Sequence, residues 1–229
     1  KSVILYYLKS ISTVEVTKLY DYLDEYHEEY VKQAKNVRKK PLESIVATMY
    51  NNLLAKDELA FRESIKPHLS SLSDFCDFFT NSVSLVIRHI GDEWALNSIT
   101  VAQENIMTNI IKKVLLDCLQ NYSTSERRDE KVLITTAPDE SHSFGTEIGS
   151  KILKLLGYDV VQISSKVTQK EIDNAVYEFR PDYVLLTVTL PTNLYVVSEI
   201  IRKLKTLDVE KLPKLYVAGN AIEYLSNPY

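Results

Sequence analysis

The sequence predicts an α plus α/β protein in which a helical bundle is followed by a doubly wound parallel sheet. Three observations lead to this prediction. Apolar residues recur at helical spacing over residues 41–122, only polar residues fill 123–130, and strand-like apolar runs alternate with helical segments from residue 131 onward. Such strands joined by helical crossovers are typical of a parallel sheet that is covered on both faces. We therefore expect two domains, 41–122 and 131–229, joined by a linker at 123–130.

Four helices are predicted for the bundle. They span residues 42–55, opened by Pro41; 58–72, kinked or broken at Pro67; 74–90, capped by Ser73 and ended by Gly91; and 101–118, opened by the capping box Thr100-Val101-Ala102-Gln103. Residues 1–40 precede the bundle, and a charged pattern with a partial apolar stripe over 14–40 predicts a connector or partner-facing helix.

The second domain is predicted to contain four strands and three helices in alternation. The strands are expected at 132–136, 160–164, 183–188 and 214–218, and the helices at 146–156, 169–179 and 194–204. Gly157 is expected to end the first of these helices.

Composition narrows the class of protein. The chain has 229 residues, of which 45% are hydrophobic and 25% charged, as is ordinary for a globular protein. Its net charge is −4 and its basic residues are dispersed, so direct nucleic-acid contact is not expected. The apolar start is too short for a signal peptide or membrane span, and Cys76 and Cys118 lack a paired spacing. These features predict a cytoplasmic protein without a membrane segment and with two buried thiols.

The most informative motif is Glu140-x-His142-x-x-Gly145, in the loop after the first predicted strand. Ligands of doubly wound sheets bind outside the carboxyl ends of the strands, so this loop lies at the mouth of a predicted ligand cleft. Glu140 is spaced to hold the His142 imidazole in one tautomer and raise its basicity, as carboxylates do for metal-bound histidines. The motif therefore suggests a metal ligand, and the alternative is a solvated polar pair.

Two further pieces follow in order, Thr187-Val188-Thr189 after the third strand and Gly219-Asn220 after the fourth. Together the three pieces resemble the Asp/Glu-x-His-x-x-Gly, Ser-x-Leu and Gly-Gly signature of cobalamin-binding modules. The resemblance implies a flavodoxin-like domain with the following roles: His142 as lower cobalt ligand, Glu140 orienting it, Gly145 leaving room for the corrin, and Thr187 and Thr189 lining the tail pocket. Thr189 and Asn220 depart from the signature.

A second motif lies in the bundle, where nine residues separate Trp94 from Glu104 and Asn105 follows. A lone Trp is more often a core residue, and a Glu on a helix is usually solvated. The spacing nevertheless resembles the Trp-x9-Glu-His motif of cobalamin-dependent photoreceptor regulators of the CarH type. This resemblance implies a bundle that caps the corrin, and an upper ligand, with an adenosyl group favoured, that faces four residues: Trp94, Val101, Glu104 and Asn105.

The departures from this second motif bear on light chemistry. Asn105 replaces the histidine that closes the motif, and Ala95 stands where the photoreceptors carry the histidine that captures cobalt after photolysis. A two-histidine cobalt state is therefore not expected in this chain.

The function these motifs imply is that of a cobalamin-binding sensor or regulatory module, responsive to ligand or light and without catalytic activity. Its signal would be a change in bundle packing that alters association within a homo-oligomer or with a partner regulatory domain. One alternative is a corrinoid methyl-shuttle subunit of a methyltransferase. Another is a module that has lost cobalamin or binds a different tetrapyrrole.

Overall fold

The computed structural model describes residues 43–138, 140–163 and 167–222 of the chain. The described residues up to Tyr122 form one compact unit, and those from Ser123 onward form a second. The predicted helix over 14–40, together with Pro41, lies outside the described residues. Within the described ranges, no helix combines the length and the hydropathy needed to cross a membrane.

The first unit is a helical bundle. Its elements in chain order are α1 (Ser44–Leu54), α2 (Glu58–Ile65), a 3-10 turn (Lys66–His68), α3 (Leu72–Phe78), a π-helical turn (Phe79–Val83), α4 (Ser84–Ala95) and α5 (Val101–Leu119). The helices enclose a core of fully buried apolar side chains that includes Met49, Phe61, Phe75, Ile90 and Ile111.

Local signals begin and end most of these helices where the sequence predicts. The capping box of α5 is confirmed, because the Gln103 amide donates to the Thr100 hydroxyl over 3.2 Å and the Thr100 amide donates to Oε1 of Gln103 over 2.9 Å. The break near Pro67 is also confirmed, since α2 ends at Ile65 and gives way to the 3-10 turn.

The region around α3 and α4 differs from the prediction. Ser71, and not Ser73, caps α3, and α4 continues through Gly91 to Ala95. A glycine within a helix costs about 1 kcal/mol relative to alanine, which tertiary packing outweighs here because Ile90 and the two residues after Gly91 are buried. Trp94 consequently lies in the last turn of a helix and not in a polar turn.

A π-helical turn connects α3 and α4 into one continuous helical stretch, and the sequence analysis does not anticipate it. Two hydroxyls bond back to the backbone there: Thr80 Oγ1 donates to the Cys76 carbonyl over 2.8 Å, and Ser84 Oγ donates to the Thr80 carbonyl over 2.5 Å. Side chains of this kind compete with the regular helical bonding pattern and accompany such local irregularities.

The second unit is built on a four-stranded, all-parallel sheet. Its elements are β1 (Lys131–Thr136), α6 (Phe144–Leu155), β2 (Asp159–Ile163), α7 (Gln169–Phe179), β3 (Tyr183–Thr187), a 3-10 turn (Pro191–Asn193), α8 (Leu194–Leu204) and β4 (Lys214–Ala218). The strand order is β2-β1-β3-β4. This is the beginning of the flavodoxin-like order, and it confirms the predicted fold class.

The two faces of the sheet carry separate apolar clusters. On one face, α7 and α8 pack against alternate strand residues, and the cluster includes Leu133, Leu186, Ile172, Val176, Val197 and Leu204. On the other face, α6 lies close to the sheet, because a Cβ built on its Gly149 would be only 3.1 Å from Cδ1 of Ile134. Ile134 packs there with Leu185 and Ala218. Alternation along each strand therefore assigns every strand residue to one of two distinct surfaces.

The predicted linker, residues 123–130, contains no helix or strand. It belongs to the sheet unit, since the Ser125 amide donates to the Leu155 carbonyl and the Arg128 amide donates to the Gly157 carbonyl, each over 2.8 Å. Gly157 has a φ of +89°, and a Cβ there would be 2.1 Å from the Glu126 carbonyl oxygen, so this contact requires glycine.

Candidate functional site

The predicted motif lies where β1 and β3 end side by side. The Ala137 amide donates to the Thr187 carbonyl over 2.9 Å, which continues the pairing of the two strands by one step. The chain then turns, and the Glu140 amide donates to the Ala137 carbonyl over 3.1 Å. This turn directs the Glu140 side chain into the sheet end, where it is fully buried.

The Glu140 carboxylate is surrounded by N–H donors. Oε2 accepts from the Thr189 amide at 2.9 Å, the Leu190 amide at 3.1 Å and the Asn193 side-chain amide at 3.2 Å. Oε1 accepts from the His142 amide at 3.1 Å and is also bonded to Nδ1 of the same residue. The carboxylate therefore joins the loop after β1 to the segment between β3 and α8.

This environment determines the charge of the pair. Burial alone would raise the pKa of Glu140, but its hydrogen bonds to the His142 ring and to two backbone amides outweigh burial and lower the pKa to about 2. Glu140 is consequently ionised at neutral pH and can only accept hydrogen bonds, so the proton between the two side chains belongs to Nδ1 of His142. In the neutral imidazole, Nε2 then carries the lone pair that a metal would use.

The His142 side chain remains accessible while its partner is buried. It is 47% exposed, compared with 0% for Glu140. A histidine oriented by a buried carboxylate and half open to solvent is the arrangement expected of a metal ligand with an outer-shell partner. The alternative of a solvated polar pair is wrong for Glu140, which has no contact with solvent.

The two glycines of the signature have different physical roles. Gly219 has a φ of +117°, and a Cβ there would lie 2.1 Å from the Val188 carbonyl oxygen, so a side chain is excluded. Gly145 has no heavy atom within 4 Å of its ideal Cβ position. Space is therefore available at Gly145, close in sequence to His142. Asn220 is half-buried, and residues 220–222 are helical.

Hydroxyl groups gather at the same end of the sheet. Thr187 is buried, and its Oγ1 lies 2.7 Å from Oγ1 of Thr146 on α6 and 3.4 Å from the Thr135 carbonyl. Thr189 is half-buried and contributes its backbone amide to Glu140. The structure thus brings Thr187 and Thr189 to the same sheet end as His142.

The bundle residues of the second motif lie at the end of α4 and the start of α5. Trp94 is 47% exposed and Val101 58% exposed, so the interpretation of Trp94 as a core residue is wrong. Asn105 is exposed, and its side-chain amide donates to the Val101 carbonyl over 3.0 Å. Glu104 is half-buried and accepts from the Thr108 hydroxyl over 3.1 Å. The four predicted residues share one end of the bundle, where Trp94 and Val101 expose apolar side chains.

The other described histidines of the bundle are engaged by aromatic rings. His89 meets Tyr50 edge to face with ring centroids 4.6 Å apart, and His68 stacks on Phe78 at the same separation. Of the site residues that the sequence analysis did not identify, the most informative is Asn193. It contacts Glu140 from a position 53 residues away in the chain, and no local pattern signals that contact.

Comparison with known proteins adds to this geometry. No family model matches the sequence. The chain is 23% identical over 143 residues to the HTH-type transcriptional repressor CarH of Myxococcus xanthus. This alignment covers 62% of this chain and 47% of the repressor. It is also 21% identical over 182 residues to trimethylamine corrinoid protein 2 of Methanosarcina acetivorans. That alignment covers 77% of this chain and 83% of the corrinoid protein. The predicted resemblance is confirmed.

The fold has a solved counterpart. The Methanosarcina barkeri monomethylamine corrinoid protein superposes with a TM-score of 0.62 at 13% identity, over 76% of this chain and 82% of that chain. At this identity the likeness bears on the fold, and it agrees with the predicted fold class. The chain spans about half the length of the CarH repressor and most of the length of the corrinoid protein.

Proposed function

We propose that this chain binds cobalamin, with His142 as its ligand to cobalt, and acts as a sensor or regulatory module. The observation that carries the proposal is the fully buried Glu140 carboxylate, which holds Nδ1 of a half-exposed histidine. A buried, ionised carboxylate that holds an accessible imidazole in one orientation is typical of functional sites and of metal-binding histidines.

The residues at the sheet end fit the cofactor. His142 offers Nε2, and Gly145 leaves open space three residues further along the chain. Five N–H groups, including both that His142 itself supplies, hold Glu140 in place. When bound, cobalamin would supply a cobalt ion that accepts a nitrogen ligand from His142 and carries an exchangeable group. The imidazole is therefore oriented before binding, which lowers the entropic cost of ligation.

Residues of the bundle would face the upper ligand. Trp94 and Val101 offer exposed apolar surface, and Glu104 and Asn105 add polar groups one turn further along α5. An aromatic ring of this size buries a large apolar area against a nucleoside, and gains less against a methyl group. This difference favours adenosylcobalamin as the form bound.

We favour the sensor role over a methyl shuttle because Trp94 and Glu104 would contact the upper ligand, whereas a shuttle must leave its ligand accessible to partner enzymes. The shuttle remains the second candidate. It is supported by the similarity to a trimethylamine corrinoid protein over 83% of that protein's length. A fold that has lost cobalamin, or that binds another tetrapyrrole, is supported only by the departures at Asn105, Thr189 and Asn220.

Absorption spectroscopy tests the proposal. Purified protein mixed with adenosylcobalamin should give the spectrum of a cobalamin whose own base is replaced by histidine, and His142→Ala should abolish that spectral change. Ser141→Ala, at the exposed neighbouring position, is the matched control and should bind as the wild type does. A wild-type spectrum from His142→Ala would contradict the assignment of the ligand.

A further inference from the structure

Thr136, the last residue of β1, carries a hydroxyl group for which the described part of the chain offers no hydrogen-bond partner. Its side chain is completely buried, yet among the described residues its Oγ1 has no hydrogen-bond partner. Buried hydroxyls nearly always find partners, because leaving one unbonded loses the hydrogen bonds it made to water. An unbonded buried hydroxyl therefore calls for a partner beyond the described residues.

The position of Thr136 indicates where that partner lies. Alternation along β1 puts Thr136 on the same face as Ile134, the face that α6 covers. Thr136 is also the register partner of Thr187 on β3, whose hydroxyl contacts Thr146 of α6. The orphaned hydroxyl therefore belongs to the sheet end that carries the other hydroxyls, on the α6 side.

Neighbouring hydroxyls at this sheet end already have partners. Those of Thr187 and Thr146 bond to each other, and Thr187 also reaches the Thr135 carbonyl. Thr135 lies on the opposite face of β1 and bonds to the Thr136 carbonyl over 3.2 Å. In this group of threonines, the Thr136 hydroxyl is the one that bonds to none of the described residues.

We propose that Thr136 is a further ligand-binding residue, and that its hydroxyl donates a hydrogen bond to an acceptor on the nucleotide tail of the bound corrinoid. The inference rests on the proposed function and deepens it, because it assigns a role that neither the signature nor the spacing of the sequence suggests. Sequestered from water, such a bond discriminates between a corrinoid with a tail and one without it.

The experiment compares Thr136→Val with Thr135→Val. Valine keeps the shape of threonine and removes the hydroxyl, and the two positions are adjacent, equally buried and on opposite faces of one strand. For each protein we would measure the melting temperature without ligand, and the affinities for cobalamin and for cobinamide, which lacks the nucleotide tail.

Thr136→Val should melt at the wild-type temperature or above, since it removes an unbonded buried hydroxyl. Its affinity for cobalamin should fall about five-fold, as expected for one hydrogen bond, with no change for cobinamide. Thr135→Val should keep both affinities.

Three results would overturn the proposal: an unchanged cobalamin affinity, an equal loss for both corrinoids, or a lower melting temperature of the ligand-free variant, which would indicate a bound water as the partner. Failure of the wild type to bind either corrinoid would instead refute the proposed function, and the role of Thr136 with it.

Discussion

Replacement of Glu140 by glutamine should remove a stabilising charge from the interior of the sheet unit. The carboxylate accepts hydrogen bonds at both oxygens, all of them from N–H donors. Glutamine has a single oxygen and presents an NH2 group in place of the other. At least one set of donors would then face another donor, and the buried N–H groups would lose their acceptor.

The size of the effect follows from the pKa. A carboxyl whose pKa falls from 4.5 to about 2 on folding contributes about 3 kcal/mol to the free energy of unfolding, at one pKa unit per 1.36 kcal/mol. Because the pKa of the folded form is the lower one, this contribution is complete above the pKa of the unfolded form. It is lost as the pH falls through the pKa of the folded form.

Urea denaturation followed by circular dichroism can measure this dependence. The free energy of unfolding of Glu140→Gln should lie about 3 kcal/mol below that of the wild type at about pH 5.5, and the difference should narrow by about 1.3 kcal/mol at about pH 3.5. Glu178→Gln, at an exposed position on α7, is the control and should differ little from the wild type.

A difference under about 0.5 kcal/mol at the higher pH would refute the inference that Glu140 is a stabilised buried carboxylate. A large difference that is independent of pH would mean that shape or packing, and not the charge, accounts for the loss. In either case the argument that His142 carries its proton on Nδ1 would lose its basis.

Two further predictions concern Trp94 and the glycines. Trp94→Ala should weaken adenosylcobalamin binding about ten-fold and methylcobalamin binding much less, as measured by equilibrium titration, because only the larger ligand fills the space beside the ring. Equal losses would identify Trp94 as an ordinary surface residue. Gly219→Ala should lower the free energy of unfolding by about 2 kcal/mol or more, since its backbone conformation and the Val188 carbonyl both exclude a side chain. Gly145→Ala is the counterpart, with little effect on the ligand-free protein and a reduced affinity for cobalamin; an equal loss of stability in both variants would contradict the assignment of open space at Gly145.

The sequence predicts elements well where the signal is local. The capping box at Thr100 and the break at Pro67 depend on residues within one helical turn, and both are observed. The end predicted at Gly91 is wrong because tertiary burial of the following turn decides the outcome, and no short-range pattern reports it. The π-helical turn before α4 escapes prediction because threonine and serine side chains also bond back to the backbone within α-helices, so their presence does not single out a π-turn.

In the site as well, contacts between residues close in the sequence can be predicted, and contacts between distant segments cannot. His142 and Glu140 are two residues apart, so spacing alone suggests their contact, and the structure has it. Asn193 and the Leu190 amide reach Glu140 from 53 and 50 residues away, and these contacts depend on the parallel pairing of β1 with β3. Thr136 is recognisable only from its missing partner, which requires the three-dimensional structure.

His142 and Trp94, the residues on which the proposed function depends, differ in how far the described structure fixes their side chains. His142 is held by a carboxylate that is itself fixed by three donors from another segment, so the lower ligand has its orientation without the cofactor. Trp94 is half exposed, and its side chain keeps freedom that a bulky ligand would restrict. A ligand that orders the Trp94 side chain must offset the entropy lost by that side chain through contacts that it makes with the ring. Ligands of different size would make different contacts, so the packing around Trp94 can depend on which upper ligand is bound. An imidazole fixed in advance and an adjustable Trp94 side chain are what the proposed sensor would require. A shuttle, in contrast, would gain nothing from a bundle that responds to the group it carries.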